Sequence, residues 1–215
     1  MSRYIIDKNK LIENINIIKE KAGVEVIGVV KGNGYGFGMA NLAEILMQNG
    51  IKTFAVTEVY DIPLLRETIL DNDILVMRST CVEEEAKTIA QYDCIATIGS
   101  LSSAEVMDKV SKELGKKTKC HLKIDTGMGR YGFLPSQVES AIKCYDFENL
   151  DFCGAYTHFS SAFHNVQLTK VQLEMFKDTI KQIEKAGKSV GKLHASNSPA
   201  LLNVDGVSLD AVRIG

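Results

Sequence analysis

No block of lysine and arginine stands anywhere in this chain, and the formal net charge is −2. Bulk electrostatics therefore gives no reason to expect nucleic acid or an anionic membrane as a partner. No apolar run approaches the length of a membrane span. The first residues, Met1-Ser2-Arg3-Tyr4, do not open a signal peptide, which favours the cytoplasm. No two cysteines have C-x-x-C spacing, and their number is odd: Cys81, Cys94, Cys120, Cys144 and Cys153. They read as small buried hydrophobes in a reducing compartment rather than disulfides or metal ligands, and no metal is expected. A linker and a low-complexity segment are also lacking, so residues 1–215 read as one domain. That length is ample for one core. The apolar fraction of 45% and the charged fraction of 24% are those of an ordinary globular protein.

What is present is an alternation of strand and helix patterns. Tyr4 to Ile6 reads as a short strand, and Asp7 as the cap of a helix with Leu11, Ile15 and Ile18 on its apolar face, ending near Gly23. Strands are then expected at 24–30, 52–56, 73–77, 94–98, 119–124, 150–156, 192–194 and 211–213, with helices between them, the longest from Val166 to Ala186. Such alternation means right-handed crossovers and a parallel sheet. Eight strands suggest an α/β fold of the closed (β/α)8 TIM-like type, with a doubly wound open sheet as the alternative. The chain stops two residues after the last strand, where an eighth helix is due. It is therefore expected to be a fragment, truncated after the eighth strand, or one domain of a longer protein.

The stretch around which this pattern is arranged is Gly28-Val29-Val30-Lys31-Gly32-Asn33-Gly34-Tyr35-Gly36-Phe37-Gly38. In a parallel α/β fold, Lys31 falls at the carboxyl end of a strand, where such folds build active sites. A partly desolvated lysine there can act as a Schiff-base nucleophile. It can equally be a plain strand-end lysine in a turn. The glycines suit positive φ or close backbone approach. The spacing is not that of a Walker A loop or of the G-x-G-x-x-G fingerprint.

Four further stretches carry chemistry-bearing groups. Between His121 and Phe133, His121, Lys123 and Asp125 share one strand face, Leu122 and Ile124 the other, and Arg130 follows a glycine loop that can fold back over the strand end. Three polar groups on one face are costly to bury unless paired, and a structural polar network is the plain alternative. His158 closes the sixth strand, where a structural histidine is the commoner occupant. Ser196 and Ser198 follow the seventh strand, at a helix start suited to an anion or a simple N-cap. Arg213 lies in the last strand, where a barrel-mouth salt bridge is an alternative.

Taken together, these motifs resemble those of the alanine racemases. That family's lysine motif reads roughly V-V-K-A-N-A-Y-G-H-G; here Gly32 and Gly34 replace the two alanines and Phe37 the histidine. The pattern K-x-D-T-G-M-G-R-x-G-F is shared almost letter for letter. The T-H-F, H-x-x-N-S and V-R-x-G segments follow in the family's order. The resemblance implies pyridoxal 5'-phosphate (PLP) on Lys31. It implies Tyr35, Ser198 and the Gly215 N–H at the phosphate, His158 against the ring and Arg213 at the ring nitrogen. Arg130 would hold the substrate carboxylate, and Lys123 is the lysine often carbamylated in the family. A guanidinium at the ring nitrogen keeps its own proton, so the ring is a weaker electron sink, which suits simple reprotonation over transamination. The resemblance also implies a head-to-tail homodimer whose partner supplies a second base, a tyrosine, from a carboxyl-terminal β domain absent from these residues. The implied activity is interconversion of L- and D-alanine. A racemase for serine, ornithine or lysine, a decarboxylase of the same superfamily, and a non-catalytic PLP carrier are the alternatives.

Overall fold

The computed structural model describes residues 5–215. Its eight strands are β1 (Glu25–Val29), β2 (Thr53–Val56), β3 (Asp73–Val76), β4 (Ala96–Ile98), β5 (Thr118–Lys123), β6 (Leu150–Tyr156), β7 (Lys192–His194) and β8 (Ala211–Ile214). They are all parallel, in the order β3-β2-β1-β8-β7-β6-β5-β4. The two ends of that order meet. Val76 N–H donates to Ile95 O at 2.9 Å, and Ile95 N–H donates to Ile74 O at 2.7 Å. The sheet is thereby a ring, and the open-sheet alternative is excluded.

The helices are α1 (Lys8–Ala22), a short turn α2 (Lys31–Tyr35), α3 (Met39–Gln48), α4 (Ile62–Thr68), α5 (Glu83–Gln91), α6 (Leu101–Glu113), α7 (Val138–Lys143), α8 (Val166–Lys185) and α9 (Ser198–Asn203). Local chemistry sets their ends. Asp7 accepts from the N–H groups of Asn9 and Lys10, and Gly23 at φ 61° stops α1, as expected. Asn165 caps α8 by accepting from Leu168 N–H at 2.8 Å. The strand expected at Tyr4–Ile6 is not found: Tyr4 lies outside the described residues, and Ile5 and Ile6 are in no strand. Among the described residues, no helix is long and apolar enough to cross a membrane.

Side chains alternate across each strand, and the two sets meet different surroundings. Outward residues such as Phe54, Ile74, Val76, Leu122 and Phe176 of α8 form the main core between strands and helices. Inward, the barrel is divided. On one side lie Ile27, Val29, Ala55, Leu75, Met77 and Ile95. On the other, the buried inward residues are His121, Lys123, Tyr156, His194 and Arg213. The polar half lies under β5 to β8, so the site forms above it. Three of the cysteines, Cys94, Cys120 and Cys144, are buried; Cys153 is half-buried, and Cys81 is exposed, contrary to its expected burial.

Candidate active site

Lys31 stands where β1 gives out. Val30 N–H still donates to Ala55 O at 2.9 Å, and then the chain turns the wrong way for L-residues. Gly32, Asn33, Gly34 and Tyr35 have φ of 60°, 54°, 63° and 54°. A left-handed turn costs about 1–2 kcal/mol for each residue with a Cβ, and glycine at 32 and 34 halves the number that bear it. Gly34 N–H donates to Val30 O at 2.8 Å, and Asn33 Oδ1 accepts from Met39 N–H at 3.0 Å, joining the turn to α3. The turn brings the Tyr35 hydroxyl against Gly215 at the end of β8. A Cβ on Gly215 would sit 2.6 Å from that oxygen. On the other side Ser198 Oγ donates to Gly215 O at 3.2 Å and lies 3.4 Å from Gly215 N. Ser198 is the first residue of α9, and neither it nor Ser196 is the cap. Asn197 is, accepting from Ala200 N–H at 3.1 Å. Ser196 is turned inward and donates to Val207 O at 2.7 Å.

The Lys31 side chain borders a cavity of about 270 Å³ together with Arg130, Tyr131, Tyr156 and His158, and Thr57, Glu58, Met77 and Arg78 complete its wall. The β5 strand and its loop supply the first group. His121 and Lys123 point into the barrel as expected. Lys123 Nζ donates to Ile124 O at 2.8 Å and lies 5.7 Å from the ring centres of both Tyr131 and Tyr156. Burial pushes its pKa down to about 7, against the pull of Asp125 and with the push of Arg213 and Arg130. Asp125 gathers the loop: its carboxylate accepts from the N–H groups of Gly127, Met128 and Gly129 at 2.8–3.2 Å. Burial opposes its charge, but these donors and Lys123 outweigh burial and hold the carboxyl below its usual range. Arg130 follows that loop, exposed at the mouth, 5.5 Å from the Tyr131 ring.

Arg213 is buried, and no carboxylate pairs with it among the described residues. Its Nη2 donates to Thr157 O at 2.8 Å and Ala195 O at 2.9 Å, and lies 3.3 Å from His158 Nδ1. Its Nη1 lies 2.7 Å from His194 Nδ1, and His194 Nε2 lies 2.9 Å from His121 Nδ1. A guanidinium only donates, so His194 Nδ1 must accept. Its proton is then on Nε2 and is donated to His121 Nδ1, which leaves the His121 proton on Nε2. All three rings are held neutral. Burial, with Arg213 adding to it, pushes His194 well down and His158 to about 3, and burial with the Lys192 charge brings His121 to about 3. Burial also brings Arg213 down to about 10. Gly154 makes room for this chain of rings, since a Cβ there would collide with His121. Tyr156 stacks on His194 at 4.8 Å and 7°. Its hydroxyl, like that of Tyr131, donates to Met77 O.

The eight residues singled out in the sequence thus converge. Lys31, Arg130 and His158 share one cavity; His158 touches Arg213; Tyr35, Ser198 and Gly215 meet beside it; Lys123 lies in the barrel below. Sequence reasoning gave no role to His194, Asn197, Tyr131 or Tyr156. His194 carried a signal, as the inward residue of a three-residue strand. Asn197 is the cap of α9, and its Nδ2 lies 3.3 Å from His158 Nε2.

Residues 6–215 match the pattern of the family described as the alanine racemase N-terminal domain. The chain belongs to the alanine racemase family. It is 35% identical over 211 residues to the alanine racemase of Methanococcus maripaludis, covering 97% of this chain and 56% of that protein. It is 34% identical over 221 residues to that of Treponema denticola, covering 100% and 58%. The structure of alanine racemase from Clostridium difficile 630 superposes with a TM-score of 0.91 at 29% identity, over 96% of this chain and 55% of that one. The chain therefore spans little more than half the length of these alanine racemases.

Proposed function

We propose that residues 1–215 are the PLP-binding barrel domain of a cytoplasmic amino-acid racemase whose first substrate is alanine. The observation that carries this reading is the position of two cations. Lys31 and Arg213 lie at the same end of adjacent strands β1 and β8, with His158 bordering the Lys31 cavity and reaching Arg213.

The residues present fit the cofactor. An amine stands at the cavity for an aldehyde. Arg213 retains Nε–H and one Nη1–H without a protein acceptor among the described residues, free for a ring nitrogen. Two hydroxyls and the Gly215 N–H converge next to it for a phosphate. When bound, PLP supplies conjugation that stabilises negative charge at the substrate Cα. This chain's own groups do the rest. Arg130 binds the α-carboxylate. Lys31 removes or returns the Cα proton on one face. Arg213 donates to the ring nitrogen without giving up its proton, and the neutral His194–His121 pair fixes its plane. Lys123, with its pKa near neutrality, has enough free amine to take up carbon dioxide, and a carbamate there would face Arg130.

Racemisation needs a second proton carrier on the opposite face. In this proposal it is a tyrosine from the β domain of a partner subunit in a homodimer, in the portion by which the relatives exceed this chain. Incubation with PLP followed by borohydride reduction should leave one reduced adduct, located by peptide mass mapping on Lys31 and abolished in Lys31→Ala. An adduct on another lysine, or none, would overturn the proposal.

A further inference from the structure

Arg213, His194 and His121 stand in single file inside the barrel, and His121, at the far end, takes no part in the wall of the Lys31 cavity. The guanidinium is held unevenly. Its Nη2 is fixed by two carbonyl oxygens, of Thr157 at 2.8 Å and Ala195 at 2.9 Å. Among the described residues its Nη1 has one partner, His194 Nδ1 at 2.7 Å. That contact is attractive only while Nδ1 bears no proton; with one, two N–H groups would face each other across the same distance. A neutral imidazole carries a single proton, so His194 must keep it on Nε2. Tyr156 lies flat against the ring, and the Nε2 edge faces His121 Nδ1 at 2.9 Å.

His121 is therefore the acceptor on which the file ends. It is buried, so a hydrogen on His194 Nε2 that it did not accept would be left buried and unpaired, at the expense of the tautomer that Arg213 requires. Its own proton lies on Nε2, against Gly154, whose lack of a side chain makes the room. Burial, the Lys192 ammonium and Arg213 oppose a second proton on the ring against the pull of Asp73, which keeps Nδ1 an acceptor. A network that only filled space would need no acceptor at this position. We propose that His121 is a positioning residue for the cofactor's ring nitrogen: by accepting from His194 it keeps His194 Nδ1 open to Arg213, and so aims the remaining N–H groups of the guanidinium. This rests on the assignment of Lys31 and Arg213 to PLP.

The first measurement needs no cofactor. Nitrogen NMR of the chain labelled in histidine separates ring nitrogens that carry a proton from those that do not. His194 and His121 should each be protonated on Nε2 alone, and a proton on His194 Nδ1 overturns the proposal. The second compares the binding of PLP with that of its analogue in which a ring C–H replaces the nitrogen, each followed by absorbance and fixed to Lys31 with borohydride. The unsubstituted chain should prefer PLP about tenfold, the scale of a hydrogen bond to a charged group. In His121→Leu, which fills the space without an acceptor, the preference should fall toward one. In His121→Asn, whose amide oxygen can stand where Nδ1 stands, it should be largely kept. A general loosening of the barrel weakens both compounds alike, so the ratio reads the aim of Arg213 and not the fold. An undiminished preference in His121→Leu overturns the proposal, as does an equal loss in the two variants; should His121→Leu fail to fold, loss of the preference in His121→Asn overturns it. Failure of Lys31 to take the label from PLP overturns the cofactor assignment and the proposal together, whereas the other adverse outcomes leave that assignment intact.

Discussion

The two halves of the barrel interior are built on opposite principles. Under β1 to β3 the inward side chains are aliphatic, Ile27, Val29, Ala55 and Leu75 among them, and they gain by leaving water without regard to direction. Under β5 to β8 they are His121, Lys123, Tyr156, His194 and Arg213, buried as completely but held by directed hydrogen bonds. Burying such groups costs free energy that the aliphatic half does not pay, and only full pairing offsets it. In return, the polar half fixes a guanidinium plane, which no aliphatic packing can do. The apolar half holds the barrel's shape, and the polar half sets the direction of its reactive groups.

Acid should separate the halves most strongly. The folded-state values of His121, His158 and His194 all lie below the usual histidine value. Stability tied to these neutral rings is therefore full above about pH 6.5 and is lost as pH falls from there toward about 3, because the unfolded chain takes up the protons first. Each ring contributes about 1.4 kcal/mol per pH unit in that window, or about 4 kcal/mol per unit for the three. Urea unfolding at a series of pH values measures the slope, and a flat profile between pH 6.5 and 5 would refute the neutral-ring arrangement. Leu75→Ala, in the other half, should cost about 2–5 kcal/mol and leave that slope unchanged, since it removes no titrating contact. Gly154→Ala strikes the polar half by geometry alone. Displacing His121 should cost about 1–3 kcal/mol, visible as a lower urea midpoint, and should lessen the acid slope as the ring gains access to water.

Much of this was legible in the sequence, because periodicity reports local structure. The long helix expected from Val166 to Ala186 runs Val166–Lys185, and every expected barrel strand is present within two residues of its bounds. Glycine at 32 and 34 announced positive φ correctly. Where three polar residues follow one another, as in Ser196-Asn197-Ser198, each can cap a helix, and only the tertiary setting shows that Asn197 does so while Ser196 turns inward. Contacts between distant strands were not legible. His121 and His194 are 73 residues apart, and nothing local in either segment names the other. Glu58 and Arg78, which help wall the Lys31 cavity, were missed for the same reason, since each looks like an ordinary loop charge until the ends of β2 and β3 bring them within 3.8 Å.

The contact between Tyr35 and Gly215 ties a loop near the start of the barrel to the end of its last strand. A ligand gripped by both must wait for the seam between β1 and β8 to zip. During synthesis, the pocket therefore does not exist until Arg213 to Gly215 have left the ribosome. Pairings so far apart along the chain are also slow to form, so ligand capture would serve as a late reporter of ring closure, silent through every earlier stage of folding.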